Sequence, residues 1–140
     1  MRAVMSRVSR AKVTLDDGTV TGEIGRGMLV LLGVSPEDGQ REIELTARKI
    51  VSQRIFDEES LEEAGLPVLL VSQFTLYGDI RKGRRPSWSK AAPGEVAEPI
   101  YLKVKEEIEK YGVEVATGSF GAMMQVESVN DGPFTLWYEC

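Results

Sequence analysis

The polar segment Ser72-Gln73-Phe74-Thr75 comes directly after the apolar run Val68–Val71. Two hydroxyls and an amide therefore stand where a buried strand is expected to leave the core. A hydroxyl in such a place can bind substrate, or can act as a nucleophile if a base activates it. The same residue types also suit an ordinary strand end whose hydroxyls bond to backbone, so on their own they leave both interpretations open.

The segment RKGRRPSWSK, residues 81–90, carries five cations, no acid, one tryptophan and two serines in a chain of net charge −5. Arginine and lysine pair with phosphate oxygens, and an indole stacks on a base or on an arginine. The composition indicates contact with an anion or a phosphate, although a solvated basic loop would look the same. The candidate phosphate-binding residues are Arg81, Lys82, Arg84, Arg85 and Lys90.

A third segment, Asn130-Asp131-Gly132-Pro133, has the composition of a turn just before the last predicted strand. Pro133 lacks an N–H group, which is tolerated where a strand begins. Taken alone, these four residues are explained by a plain turn.

Composition excludes several mechanisms. The 140 residues include no histidine, and the single cysteine is Cys140. A Ser-His-Asp or Cys-His mechanism, a histidine-ligated zinc and an intrachain disulfide are therefore impossible within the chain. No apolar run approaches the ~18–20 residues of a membrane span, and no signal peptide is visible. We therefore expect a cytoplasmic protein of one domain, residues 1–140, without a membrane partner.

The elements that must position these segments are short strands and two helices. Helical spacing of apolar residues predicts helices over 36–53 and 94–111, the second with Pro99 near its first turn and a stripe of Val96, Ile100, Val104 and Ile108. Asp16–Thr19 predicts a hairpin turn. Strands are predicted over residues 2–8, 11–15, 20–24, 28–34, 68–76, 113–117, 123–129 and 133–138, residues 78–92 are predicted to form a loop, and the acidic stretch 57–63 a solvated loop or short helical turn.

Because the strands come mostly in runs, the pattern favours an α+β fold with a mostly antiparallel, barrel-like sheet and two main helices. In this context the chain resembles the D-aminoacyl-tRNA deacylase family, also called D-tyrosyl-tRNA deacylases. Ser72–Thr75 and Asn130–Thr135 resemble its two signature motifs, in order and about 55 residues apart, and the likeness runs through SRVSRAKVT, RPSWSKAA and TGSFGAMMQV as well. The chain departs from the family pattern at Ser6, at Trp88 and in the short connection 57–66.

The resemblance implies a homodimer of this fold that hydrolyses the ester joining a D-amino acid, or glycine, to the 3′-terminal adenosine of tRNA. It implies no cofactor, no metal and no DNA partner. It also implies that Gly132-Pro133 is cis and reaches into the partner's pocket. There its carbonyl oxygens would hold the substrate amino group and exclude an L-side chain, and Arg7 would fix the element in place.

By the same resemblance, Ser72, Gln73, Phe74 and Thr75 form one side of the pocket. Phe120, Gly121, Ala122 and Met124 would surround the adenine and the ester. Because no base is available to activate Thr75, the preferred hypothesis is attack by water, with backbone N–H groups near Phe74 and Thr75 as oxyanion hole and assistance from the ribose 2′-hydroxyl.

Two alternatives remain from the residues alone. A non-catalytic RNA-binding or chaperone-like module would use the basic segment 81–90 to hold RNA. A small-molecule enzyme would use the same segment to hold a phosphorylated metabolite. Neither accounts for the two motifs occurring together.

Overall fold

The computed structural model describes all 140 residues, which form six strands and three α-helices. No helix is both long enough and apolar enough to pass through a lipid bilayer. The strands are β1 (Arg2–Leu15), β2 (Val20–Ile24), β3 (Gly27–Gly33), β4 (Val68–Ser72), β5 (Val115–Thr117) and β6 (Met124–Glu139), and the helices are α1 (Gln40–Ser52), α2 (Leu61–Ala64) and α3 (Gly94–Glu109).

The sheet is organised around β1. On one side β1 pairs antiparallel with β6 from end to end, and on the other it pairs antiparallel with β3 and then with β2. β4 joins β3 in parallel, and β5 joins β4 in parallel. The predicted barrel-like sheet is confirmed, but it contains both antiparallel and parallel strand pairs. The parallel pairs arise because the chain passes through a helix before it enters β4 and again before it enters β5.

Close approach of β2 to β5 nearly closes the barrel. A Cβ added to Gly22 would lie 2.2 Å from the carbonyl oxygen of Thr117, which leaves room only for glycine. The hairpin predicted at Asp16–Thr19 is present, with Gly18 in the left-handed region at φ 87°. Glycines thus permit both the hairpin turn between β1 and β2 and the close approach of β2 to β5.

Two predicted breaks between strands are wrong. Residues 2–8 and 11–15 form one strand, and 123–129 and 133–138 form another, because β1 and β6 support each other along their whole length. The turn signal at 130–133 instead produces an irregularity inside β6. Ser6 pairs with Thr135 and Val8 with Asn130, so residues 131–134 bulge out opposite Arg7.

The helices pack on the sheet and differ in detail from the predictions. α1 begins at Gln40, not at residue 36, because the Asp38 carboxylate binds the N–H of Ser35 and holds that stretch in a turn. The predicted stripe on α3 is only partly buried. The buried residues are Ala97, Tyr101, Val104 and Ile108, whereas Val96 is exposed, and Pro99 lies in the second turn.

The remaining differences concern chain segments after strands. β4 ends at Ser72, and the residues predicted to extend it form a 3-10 helix over Phe74–Tyr77. The acidic stretch 57–63 leads into α2, which Ser60 and Glu63 cap reciprocally. The loop predicted over 78–92 contains only one isolated bridge, between Asp79 and Ser87.

Candidate active site

A cavity of about 700 Å³ opens where β4 ends. Its lining is mostly apolar and comes from β3, β4, the loop before α3, the start of α3 and the segment that leads into β6. The structure places together at this cavity all eight residues that the resemblance implies for the pocket: Ser72, Gln73, Phe74, Thr75, Phe120, Gly121, Ala122 and Met124.

Sequence reasoning missed part of the wall. Residues 91–94, Ala-Ala-Pro-Gly, line the cavity beside Ala97 and Tyr101 of α3. Their small side chains leave space for a ligand. This run of small residues is the one feature of the sequence that could have indicated a cavity wall here. Tyr101 donates a buried hydrogen bond of 2.7 Å to the carbonyl oxygen of Leu70 and packs 5.8 Å from the Phe120 ring.

The turn at the cavity mouth presents free backbone donors. The carbonyl oxygen of Gln73 accepts from the N–H of Leu76, and that of Thr75 accepts from Gly78, as a 3-10 helix requires. The N–H groups of Phe74 and Thr75 lie in the first turn of this 3-10 helix, ahead of these bonds, where an N–H has no intrahelical acceptor, and no side chain caps them. Both residues line the cavity and are exposed, so these N–H groups are available to a bound oxygen atom.

The hydroxyl of Thr75 has no base beside it. Its Oγ1 accepts a hydrogen bond from Nε2 of Gln73, and no carboxylate or amine reaches it. Tyr101 is the single titratable side chain in the lining, and burial raises its pKa. A side chain that could accept a proton near neutral pH is therefore absent from the cavity wall of one subunit.

The irregularity in β6 is held rigidly although it lies on the surface. Gly132 and Pro133 are exposed, and the peptide bond between them is cis. Arg7 donates to the carbonyl oxygens of Asp131 and Gly132, each at 3.0 Å, and to that of Ile55 at 2.8 Å. Neither Gly132 nor Pro133 lines the cavity of its own chain.

Comparison with known proteins agrees with this geometry. The family model for D-Tyr-tRNA(Tyr) deacylase matches residues 4–139. The chain belongs to this deacylase family. A D-aminoacyl-tRNA deacylase of Beutenbergia cavernae is 55% identical over 141 residues, which cover 99% of each chain. One from Kineococcus radiotolerans is 53% identical over 137 residues, 97% of each chain.

Solved structures show the same fold. A structure titled c-Myc DNA Unwinding Element Binding Protein superimposes with a TM-score of 0.91 at 41% identity, covering 100% of this chain and 99% of the other. A second, titled as a probable eukaryotic D-amino acid tRNA deacylase, reaches 0.84 at 18% identity and covers 98% and 97%. The second likeness concerns the fold alone.

In this family member, Trp88 joins the basic loop to the turn. Its ring meets that of Phe74 edge to face at a centroid distance of 5.4 Å. On its other side it covers Gly78, where an added Cβ would lie 2.6 Å from Cζ3 of the indole. The tryptophan that the sequence marks for base stacking thus packs against Phe74, one of the two residues that carry the free N–H groups, and against Gly78 at the end of the turn.

The cations of the basic loop differ in their partners. Arg81 forms an ion pair with Asp79 and holds the pKa of that carboxyl far below its ordinary value. It is therefore less free for phosphate than the sequence suggested. The other four, Lys82, Arg84, Arg85 and Lys90, are exposed and take part in no ion pair.

Large apolar side chains are uncovered on β6 and at the cavity. Trp137, on β6, is 56% exposed, and Met123 (77%) and Phe74 (53%) line the cavity. Exposed side chains of this size mark a surface that another molecule covers. Nowhere in the chain do three or more Asp, Glu or Cys side chains cluster as metal ligands would.

Proposed function

We propose that the chain hydrolyses the ester of D-aminoacyl-tRNA and releases the free D-amino acid and the tRNA. The observation that carries this proposal is the pair of free N–H groups on Phe74 and Thr75 at the mouth of an apolar cavity. Such donors stabilise the charge that develops on a carbonyl oxygen under attack. The family membership of the chain supplies the class of substrate.

The mechanism that fits this cavity is attack by water. The water oxygen forms a bond to the ester carbon, and the carbonyl oxygen accepts hydrogen bonds from Phe74 and Thr75. The bond to the ribose 3′-oxygen then breaks, and the proton that the attacking water loses passes to this oxygen through the neighbouring 2′-hydroxyl. An aminoacyl ester is already labile, so positioning and charge stabilisation suffice without a side-chain base.

The protruding backbone at Gly132-Pro133 selects the D-form by reaching into the cavity of a second subunit. Three findings support this assignment. The segment is exposed, Arg7 fixes its carbonyl oxygens, and it does not reach its own cavity. Trp137 on β6, together with Met123 and Phe74 at the cavity, offers exposed apolar side chains on which two subunits would associate. Backbone placed against the α-carbon rejects an L-side chain by collision, whatever that side chain is.

The same selector leaves glycine as a substrate. Glycine has no side chain to collide with the protruding backbone, so glycine attached to the wrong tRNA would also be released. The unpaired cations Lys82, Arg84, Arg85 and Lys90 would contact tRNA phosphates and make binding fall with salt. Such an enzyme works in the cytoplasm, where aminoacyl-tRNA is found.

One experiment tests the function. The protein is incubated with D-Tyr-tRNA, L-Tyr-tRNA and Gly-tRNA, and the release of amino acid is followed over time. We expect rapid loss of the D-tyrosyl and glycyl esters only, and light scattering should give the mass of a dimer. Equal loss of the D- and L-forms would contradict the selector.

Loss of none of the three esters would favour a protein that only binds nucleic acid. The 41%-identical structure, titled as a DNA unwinding element binding protein, makes that the second candidate. A single-stranded DNA oligonucleotide added as competitor separates the two. A deacylase should keep its rate at DNA concentrations equal to those of the tRNA.

A further inference from the structure

A second, smaller cavity of about 290 Å³ lies on the other side of the turn that carries Phe74 and Thr75. Its lining includes Arg2, Tyr77, Asp79, Arg81 and Lys90. In contrast to the first cavity, this one is lined mainly by charged and polar side chains.

The two cavities share a thin wall. Thr75 lines the first cavity and Tyr77 the second, so one residue separates the linings on this segment. On the neighbouring segment Lys90 lines the second cavity and Ala91 the first, with no residue between them. Trp88 of the first lining packs against Gly78 of the second, so the two cavities adjoin in space.

The charges of the second cavity suit one anion. Arg2 is paired with Glu139 and Arg81 with Asp79, whereas Lys90 forms no ion pair, although it lies near enough to Asp79 to help lower the pKa of that carboxyl. Three cations against two carboxylates leave one positive charge. A guanidinium that is paired with one carboxylate keeps further N–H donors, so all three cations can still contact an anion.

Two of the three cations are already held in place before any ligand arrives. Arg2 lies 4.4 Å over the ring of Tyr77, and its Nη1 donates to the carbonyl oxygen of Leu76 at 2.8 Å. Nε of Arg81 donates to both carboxylate oxygens of Asp79, at 2.9 and 3.1 Å. Donors that are already fixed lose little conformational entropy on binding.

We propose that this second cavity binds the phosphodiester on the 5′ side of the terminal adenosine of the substrate. The inference rests on the proposed function, because it places the adenosine and its ester in the first cavity. The ester is on the 3′-oxygen of the ribose and the phosphate on the 5′-oxygen, so the phosphate emerges one sugar away from the scissile bond. Lys90 supplies the uncompensated charge.

The test compares two small substrates: the D-tyrosyl ester of adenosine, and that of cytidylyl-(3′→5′)-adenosine, the dinucleotide at the 3′ end of tRNA. Wild-type enzyme should show kcat/KM about tenfold higher for the dinucleotide, because its phosphodiester gains a hydrogen bond to a charged group; this factor corresponds to about 1.4 kcal/mol. Lys90→Gln should bring this ratio close to one. Lys103→Gln is the matched control, since Lys103 is exposed on α3, lines neither cavity and should keep the wild-type ratio.

The inference would be overturned if wild-type enzyme hydrolysed both esters with equal kcat/KM, or if Lys90→Gln kept the wild-type preference for the dinucleotide. Hydrolysis of D-Tyr-tRNA by the same enzyme would still support the proposed function. Calorimetric Kd values for cytidylyl-adenosine and adenosine repeat the comparison without turnover, and equal values in the wild type would also overturn it. If the dinucleotide binds more tightly through Lys90 but D-Tyr-tRNA is not hydrolysed, the phosphate site stands and the proposed function fails. Inorganic phosphate that competes as well as the dinucleotide would mean a site for free phosphate, which contradicts the inference.

Discussion

Nη2 of Arg7 donates a hydrogen bond of 3.0 Å to the carbonyl oxygen of Gly132. The same guanidinium binds the carbonyl oxygens of Asp131 and Ile55, and its Nε lies 3.1 Å from the Asp131 carboxylate. One side chain therefore connects the protruding part of β6 to the segment that follows α1. The arrangement uses the planar shape of the guanidinium, which directs several N–H groups at once.

We expect Arg7→Lys to loosen the protrusion. Lysine keeps the charge but cannot make three hydrogen bonds in this fixed geometry, so the unfolding free energy should fall by about 1–3 kcal/mol. The ratio of D-Tyr-tRNA to L-Tyr-tRNA hydrolysis should fall about tenfold, as a loss of about 1.4 kcal/mol in discrimination implies. Arg10→Lys is the control, because Arg10 lies on the same strand and pairs only with Glu127 at the surface. If Arg7→Lys discriminated between D-Tyr-tRNA and L-Tyr-tRNA as well as the wild type does, the role proposed for Arg7 would be contradicted.

Replacing Thr75 by alanine should leave most of the activity. Because no base activates its hydroxyl, we expect kcat to stay within about fivefold of wild type, well short of the loss that follows removal of a nucleophile. Single-turnover kinetics with D-Tyr-tRNA measure the effect on the chemical step. A folded Thr75→Ala protein that binds substrate but does not turn it over would show that the hydroxyl takes part in the chemistry.

Gly78→Ala should disturb the turn through Trp88. The new Cβ would lie 2.6 Å from the indole and 2.9 Å from the carbonyl oxygen of Thr75, so one of them must move. We expect kcat/KM to fall about tenfold and the unfolding free energy to fall by about 1–3 kcal/mol, as in other overpacked sites. Gly25→Ala is the control, since an added Cβ there meets nothing within 4 Å. Equal behaviour of the two variants would show that the contact between Trp88 and Gly78 does not support the turn.

Buried tyrosines predict a loss of stability at high pH. Burial raises the pKa of Tyr101, and it raises the pKa of Tyr77 to about 12. The unfolded chain releases these protons near pH 10 while the folded chain retains them, so the unfolding free energy should fall as pH rises above about 10. Urea unfolding between pH 7 and pH 11 measures this slope.

Tyr101→Phe isolates one of these groups. At pH 7 it should cost about 1 kcal/mol, because the hydrogen bond to the carbonyl oxygen of Leu70 is lost. Above pH 10 its slope should be shallower than that of the wild type. Tyr111→Phe, which changes an exposed ring, should leave the stability at pH 7 unchanged. If the unfolding free energy of Tyr101→Phe fell with pH as steeply as that of the wild type, Tyr101 would not contribute to the loss of stability.

The sequence predicts local features of this protein better than long-range ones. The cavity residues around Phe74 and Phe120 and the face of α1 formed by Ile43, Ala47 and Ile50 follow from motif and periodicity. The merging of two predicted strands into β1 does not, because continuity depends on pairing with β6, which lies more than a hundred residues away. Parallel pairing of β3, β4 and β5 is a second example, since it depends on how the helices cross the sheet.

Arg2, which supports the turn at Leu76, and Arg7, which supports Gly132, are both carried by β1. In the proposed dimer the first serves its own subunit's cavity and the second serves that of its twin. Inserting or deleting a single residue in β1 would shift its register and reverse the orientation of the side chains beyond that point. Length changes are therefore expected to be tolerated in the exposed residues 57–59 and not in β1, where one insertion would disable both subunits' sites.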